Sequence, residues 1–327
     1  MKVSFIIPLF NGLPLTQAML DSLRATVPAG LAHEIILVDD GSSDGTREWL
    51  KTPAAPGRVL LNERNLGFAA TCNRGAAVAA GEFLFFLNND LVMLPGWLEP
   101  MLAAFGRFPR AGLVGNVQRN FATGAVDHAG VFFDHKGKPT HLTRRGWAAW
   151  RETVAVTGAC FGIRRATWQK LGGFDEAYVN GGEDVDLALR AIEVGFTNHV
   201  ALRSVVRHHV SASAGRKLRD EHNTARLHHR WRDFILPRIV RRCSLACLQA
   251  SWEEPRDYAD RSLVLAALMH FAGLIPVPST GLVAAAQASL ELERNRWAHL
   301  LEGAPLRPPR EIAWQFFPMI PEDPPVI

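Results

Sequence analysis

Within the first hundred residues, short apolar runs alternate with longer amphipathic ones. Val3 to Ile7, Ile35 to Val38, Val59 to Leu61 and Phe83 to Leu87 have strand character, and helical stretches near Leu15 to Ala25, Thr46 to Leu50 and Phe68 to Ala80 lie between them. Strands apolar on both faces, separated by helices, require a parallel sheet with helices covering it. The fold class is therefore α/β. From Ala111 to about Thr157 the pattern shifts to short runs broken by Gly and by charged turns such as His135 to Pro139, which predicts hairpins or an active-site insertion. A helix from Glu183 to about Gly195 follows, then short strands near His199 to Leu202 and Val205 to His208. Beyond about residue 216 the strands stop. A basic helix runs through Arg230 and Trp231, and the remainder reads as helices separated by Pro-rich breaks, ending in PEDPPVI.

Composition narrows the classes further. Of 327 residues, 48% are apolar and 21% charged, which excludes a disordered chain, and no repeat or heptad pattern points to collagen or coiled coil. Cys72, Cys160, Cys243 and Cys247 form no disulfide framework, and their spacing matches no zinc site. A reducing, cytoplasmic location is expected. The start, MKVSFIIPLFNG, reads as a strand and not as a signal peptide, and no segment reaches the roughly 20 apolar residues of a bilayer span. The net charge of +4 is small, but residues 216 to 242 hold nine Lys or Arg against three Asp or Glu. A solvated helix face explains this stretch, and docking on an anionic membrane surface is the alternative; nucleic acid is not expected as a partner.

In an open parallel sheet, ligands bind beyond the carboxyl ends of the strands. Three predicted strands end in polar groups: Pro8 to Asn11, then Asp39 and Asp40, then Asn88, Asn89 and Asp90. Parallel strands would bring all three clusters to one edge. The stretch DDGSSDGT can also be read as a turn, which accounts for its glycines but not for two adjacent carboxylates at a strand end. In the helix from Glu183, about 100° per residue places Glu183, Asp186, Arg190 and Glu193 on one polar stripe. Asp184 then projects roughly 140° from the centre of that stripe, inward, where a carboxylate is costly unless paired, capping or functional. Asp186 and Arg190 suit an i, i+4 ion pair. His208 and His209 follow a short strand, and one of them beside Asp90 would make a mixed oxygen and nitrogen site suited to Mn or Mg.

The succession VSFIIPLFNG, EIILVDDGSSDGT, RNLGFAATCNRG, FLFFLNNDL and TGACFGIRRATWQKLGGFDEAYVNGGEDVDLALRAIEVGF resembles the family 2 glycosyltransferases of GT-A type, in particular the bacterial rhamnosyltransferase-like branch. The likeness covers about residues 3 to 235. It implies a Rossmann-like mixed sheet flanked by helices, with a catalytic domain over 1–235 and a helical extension over 236–327. It further implies that Pro8, Phe10, Asn11 and Asp39 hold the base and ribose of a nucleotide-sugar, with Asp40 the less favoured of the acidic pair. Asn65, Gly67 and Asn73 match a loop and helix start near the nucleotide. Asn88, Asn89 and Asp90 occupy the family's DxD position; Asn88 replaces its first carboxylate and leaves Asp90 as the charged member. Asp90 and His208, with His209 as the alternative, would then ligate a divalent cation, Mn or Mg.

Asp184 matches the family's general base. The implied reaction is inverting transfer of one sugar from a UDP-, dTDP- or GDP-sugar to a glycan or lipid-linked acceptor in surface polysaccharide synthesis. Glu183, Trp147 and Trp150 are candidates for the acceptor side, although insertion aromatics also simply pack. Without a membrane-spanning segment or a QxxRW motif, single addition is favoured over processive synthesis. A nucleotide-dependent oxidoreductase would need GxGxxG after the first strand, and IIPLFNGLP lacks it. The non-enzyme alternative is an inactive nucleotide-sugar or glycan-binding protein on the same scaffold.

Overall fold

The structure, a computed structural model, describes residues 2–209, 220–253 and 261–305. Two compact units emerge. One runs to Phe132 and from His141 to Asn223; the other comprises Phe133–Thr140 and the chain from Thr224 onward.

The first unit begins with β1 (Lys2–Leu9), α1 (Leu13–Thr26), β2 (Ala32–Asp39), α2 (Thr46–Leu50), β3 (Arg58–Leu61), α3 (Phe68–Val78) and β4 (Phe83–Leu87). These are the elements the sequence predicts, with ends moved by a few residues. β5 (Leu91–Met93), α4 (Leu98–Arg107), β6 (Ala111–Asn120), β7 (Val126–His128), β8 (Val131–Phe133), β9 (Pro139–His141) and β10 (Trp150–Thr153) follow. Then come β11 (Cys160–Arg164), α5 (Arg165–Leu171), α6 (Glu183–Glu193) and β12 (Thr197–His208).

The main sheet has the order β10-β12-β6-β11-β4-β1-β2-β3, with β5 on β12 and β7 on β6. β1 pairs parallel with β2 and β4, and β2 pairs parallel with β3. β11 enters antiparallel between β4 and β6, so the sheet is mixed. The expected hairpins of the insertion are β6–β7 and β8–β9.

Both sheet faces are buried, as the run FLFFL requires. Phe85 packs on one face beside Phe5 and Trp97, with ring centroids 6.1 Å apart in each pair. Its neighbour Phe86 points to the other face, 4.8 Å from Phe161 and 4.5 Å from Trp168.

Two expectations are corrected. The strands predicted near His199 to Leu202 and Val205 to His208 are one strand, β12, whose register against β6 shifts between Ala201 and Val205. Ser204 sits in that irregularity, fully buried, and donates to the Trp97 carbonyl. The polar stripe of α6 is not a solvent face either: Glu183 and Asp186 are buried, whereas Asp184 is half-buried. Arg190 explains the difference, because its Nε donates to Asp186 Oδ2 at 2.8 Å while Nη2 donates to the Gly173 carbonyl at 2.8 Å.

The second unit contains α7 (Asp220–Glu253, beginning at the end of the first), α8 (Arg261–Phe271) and α9 (Thr280–Glu302). α7 leaves helical geometry at Trp231 and carries Pro237. The predicted basic stretch is only in part a solvated face, since Leu227, Trp231, Ile235 and Ile239 are buried; its residues 216–219 and the Pro-rich tail lie outside the described residues. Within this unit the 133–140 turn is fixed by α7 and α9: His228 Nε2 donates to the Gly137 carbonyl at 2.9 Å, and Ser289 Oγ donates to the His135 carbonyl at 2.8 Å. All four cysteines are buried and none forms a disulfide. Among the described residues, no helix is long and apolar enough to cross a membrane.

Candidate active site

Because β1, β2 and β4 are parallel, their carboxyl ends share one edge, and the three polar clusters meet there. Leu9 pairs with Asp39, and the Asp40 N–H continues the ladder to the Leu9 carbonyl at 2.7 Å. The loops after β1 and β2 are stitched reciprocally: the Asn11 N–H donates to Ser42 Oγ, and the Ser43 N–H donates to Asn11 Oδ1, both at 2.8 Å. Asp44 caps α1 from outside the helix, accepting the Gly12 and Leu13 N–H groups at 2.6 and 3.1 Å. Burial raises the Asp44 pKa, but those hydrogen bonds, with two from Thr46, together outweigh it and hold the carboxyl below its ordinary value. Pro8 is half-buried and Phe10 is exposed at the rim of this edge.

The adjacent carboxylates are both buried and both employed. Asp39 accepts the N–H groups of Gly41 and Ser42 at 3.1 and 3.3 Å and faces Arg47 Nε at 3.3 Å. Asp40 accepts Asn62 Nδ2 and the Leu66 N–H at 2.8 Å and the Gly67 N–H at 2.9 Å, so it shapes the Asn65 to Gly67 loop. Asn65 Oδ1 shares the Gly67 N–H at 3.1 Å. A Cβ on Gly41, whose φ is +81°, would lie 2.8 Å from the backbone of Arg64 and Asn65, so only glycine admits this approach.

Asn89 Nδ2 donates to the Asn11 carbonyl at 3.1 Å and to Thr16 Oγ1 at 3.0 Å, tying the end of β4 to the first loop. Asp90 comes next. The antiparallel register of β5 on β12 sets His208 opposite Leu91 and so brings His208 Nε2 to 3.2 Å from Asp90 Oδ1. Both atoms are buried, and neither has a hydrogen-bond partner. The His209 ring instead stacks on Phe121 at 3.8 Å.

Two converging buried polar atoms without hydrogen-bond partners fit a divalent cation, and a carboxylate with an imidazole suits Mn or Mg. Among the described residues no group of three or more His, Cys, Asp or Glu could hold a metal, so those residues would offer an ion two ligands. Its remaining positions would fall to water and to oxygens of a bound ligand.

Asp184 belongs to the same edge. Its Oδ2 accepts the Gly158 N–H at 2.6 Å and its Oδ1 the Val185 N–H at 2.8 Å. The next carbonyl, Ala159, accepts the Asn88 N–H at 2.8 Å. Two residues thus link the start of α6 to the end of β4. The Phe68 ring closes on Gly158 from α3, 3.3 Å from where a Cβ would stand. Glu183 Oε2 accepts the Gly181 N–H at 2.7 Å at the entry of its own helix.

Three further residues named from sequence are placed as follows. Asn73 spends its amide on the Phe174 backbone, accepting at 2.9 Å and donating at 3.0 Å, and on Glu176 at 2.8 Å. Trp150 Nε1 donates to the Pro100 carbonyl at 3.3 Å and its ring meets Phe108 edge-on; Trp147 is fully exposed.

His128 is a residue the sequence does not reveal. Fully buried on β7, its Nε2 accepts the Gly130 and Thr157 N–H groups at 3.3 and 3.4 Å. Burial, with the neighbouring His141 and His208, pushes its pKa well below the ordinary value, so the ring is neutral. It supports the turn that presents Gly158 to Asp184. A lone histidine in an insertion carries no sequence signal of that role.

Comparisons with known proteins bear on the family and the fold. O-antigen biosynthesis protein RfbC of Myxococcus xanthus is 32% identical over 225 residues, covering 65% of this chain, although the chain spans only 18% of that protein. N-acetylglucosaminyl-diphospho-decaprenol L-rhamnosyltransferase of Mycobacterium tuberculosis is 29% identical over 216 residues, 56% of this chain and 68% of the relative. Among solved structures, GalNAc-T7 with UDP, GalNAc and Mn2+ superposes with a TM-score of 0.60 at 18% identity over 95% of this chain and 59% of that one. The mannosyltransferase PcManGT from Pyrobaculum calidifontis, in complex with GDP-Man and Mn2+, gives a TM-score of 0.54 at 19% identity over 91% and 84%. These two likenesses establish the GT-A type of fold. The model of Glycosyl transferase family 2 matches residues 4–171, and the chain belongs to that family.

Proposed function

We propose that the chain is an inverting glycosyltransferase that moves one sugar from a nucleoside diphosphate sugar to a hydroxyl of a glycan or lipid-linked acceptor. The observation that carries this reading is that the Asp90 and His208 pair, which keeps buried polar atoms unmatched, and the Asp184 carboxylate meet at the end of β4: Gly158 and Ala159 link Asp184 to Asn88, two residues before Asp90. The relatives named for O-antigen synthesis and for rhamnosyl transfer to a decaprenol diphosphate support surface polysaccharide as the product and a deoxyhexose as the sugar. The neighbours' UDP and GDP-Man support a nucleotide-sugar donor, without selecting among UDP, dTDP and GDP.

The residues divide the work. The loops set by Asn11, Asp39, Asp40 and Asn65 to Gly67 form the seat for the nucleotide. Asp90 Oδ1 and His208 Nε2 would hold a divalent cation, which neutralises charge on the departing nucleoside diphosphate. Asp184, fixed by two backbone donors, takes the proton of the acceptor hydroxyl. The acceptor oxygen bonds to the anomeric carbon from the side opposite the diphosphate, the bond to the diphosphate oxygen breaks with its electron pair, and configuration inverts. A cytoplasmic site of action, at the inner membrane surface where lipid-linked acceptors reside, accords with this chemistry.

The test is Asp184→Asn. Transfer should fall by about 10²-fold or more while nucleotide affinity, read by calorimetry, persists. Tight nucleotide-sugar binding by the unaltered chain with no turnover against any acceptor would instead establish the inactive binding protein.

A further inference from the structure

Residues 262–290, SLVLAALMHFAGLIPVPSTGLVAAAQASL, contain no Asp, Glu, Lys or Arg. They form α8, the connection after it and the first turns of α9. α8 buries Leu263 and Ala267, yet Leu265 and Leu268 face outward at 59% and 50% exposure. Beyond it Leu274, Ile275 and Val277 are exposed at 67%, 41% and 74%. Such a contiguous apolar patch on a helical unit marks a contact surface.

The backbone beneath the patch is satisfied internally. The Leu274 N–H donates to the Met269 carbonyl at 2.9 Å, and His270 Nδ1 donates to the Ile275 carbonyl at 3.0 Å. The turn is thus a formed wedge with apolar side chains at its tip.

Among the described residues, arginines stand beside it. Arg241 donates from Nη2 to the Phe271 carbonyl at 2.9 Å and lies over the Phe271 ring. Arg238, three residues earlier on the same side of α7, is also exposed. The first carboxylate after the patch, Glu291, is eleven residues into α9, roughly 16 Å along its axis. Apolar side chains with arginines beside them match a plane that is hydrocarbon below and anionic above.

We propose that this end of the helical unit seats in the interfacial layer of an anionic lipid bilayer, with Leu265, Leu268, Leu274, Ile275 and Val277 among the acyl chains and Arg238 and Arg241 among the headgroups. The contact rests on the proposed function only for its use, which is to hold the enzyme where a lipid-linked acceptor resides; vesicle binding is measured without donor or acceptor, so either reading can fail alone.

The test is co-sedimentation of the full chain with vesicles of phosphatidylglycerol and phosphatidylcholine, or of phosphatidylcholine alone. Binding is expected on the anionic vesicles. It should fall at least about tenfold in Leu274→Glu with Val277→Glu, and by about fivefold for each of Arg238→Glu and Arg241→Glu. The exposed positions of these side chains leave the fold intact, which a melting curve checks. The proposal is overturned if the full chain does not bind, if the double substitution binds undiminished, or if that substitution dissolves a dimer seen by light scattering. Binding that emerges only after deletion of residues 306–327 would name that segment as the occupant and overturn the proposal equally.

Discussion

Replacing His128 by Leu tests whether the neutral imidazole holds the turn beneath Asp184, the proposed base. The ring is fully buried, and Nε2 is the acceptor for the Gly130 and Thr157 N–H groups. A neutral imidazole has one acceptor nitrogen, so its proton sits on Nδ1. Leu keeps the volume but leaves two buried amides without a partner, each costing about 1–3 kcal/mol. The bonds are 3.3 and 3.4 Å long, beyond the usual mode, which places each at the low end and the sum near about 2 kcal/mol. For a unit of this size that is a fall in Tm of roughly 4–8 °C. The chemistry should suffer as well, because Thr157 leads into Gly158, whose N–H meets Asp184 at 2.6 Å. A shift of a fraction of an ångström at the base corresponds to about a tenfold or greater loss in kcat, with the donor KM unmoved. His128→Gln places Oε1 where Nε2 stood and should recover most of both losses; His128→Asn, whose oxygen falls at the Nδ1 position, should not. Scanning fluorimetry and steady-state kinetics at saturating donor read the two effects. A Leu variant with parental Tm and kcat refutes the reasoning, as does equal behaviour of Gln and Asn.

In Gly158→Ala the new methyl would stand 3.3 Å from the Phe68 ring, which must give by a few tenths of an ångström, and in contact with Asp184 Oδ2 at 3.4 Å; kcat should fall about tenfold with little change in Tm. Unchanged kcat would place the chemistry elsewhere. Asp44→Ala removes the external cap of α1 and should cost about 1 kcal/mol, visible as a lower urea midpoint with an unchanged m-value. His199 and His228 are held neutral in the folded chain by burial, their pKa values lying below the ordinary one. Below about pH 6.5 the unfolded chain binds protons that the folded chain does not, so stability is intact at pH 7 and declines toward pH 5 by up to about 1.4 kcal/mol per pH unit for each. Urea midpoints that stay level or rise on acidification contradict this.

What the sequence discloses and what it withholds divide along a physical line. Local apolar periodicity is decided within a few residues, so the strands, the helices and the doubly buried FLFFL are legible, as is the meeting of three strand ends once the strands are parallel. Long-range register is not local. Nothing in the order of residues says that β12 will lie on β5 with His208 opposite Leu91, which is what brings His208 to Asp90. The wheel of α6 misleads for a related reason: it assumes water on the polar side, whereas Arg190 there bonds the 171–173 backbone and takes Asp186 inside with it. The same distinction separates the polar residues of the site. Asp39 and Asp40 are conspicuous in sequence, yet each carboxylate is filled by its own or a neighbouring loop. Along the strand-end edge, Asp90 and His208 differ in keeping buried polar atoms unmatched, at a cost that folding alone does not repay. Loop-forming polar residues answer to the chain around them and are visible as motifs; ligand-facing ones are marked by the hydrogen bonds they forgo, which only the assembled fold displays.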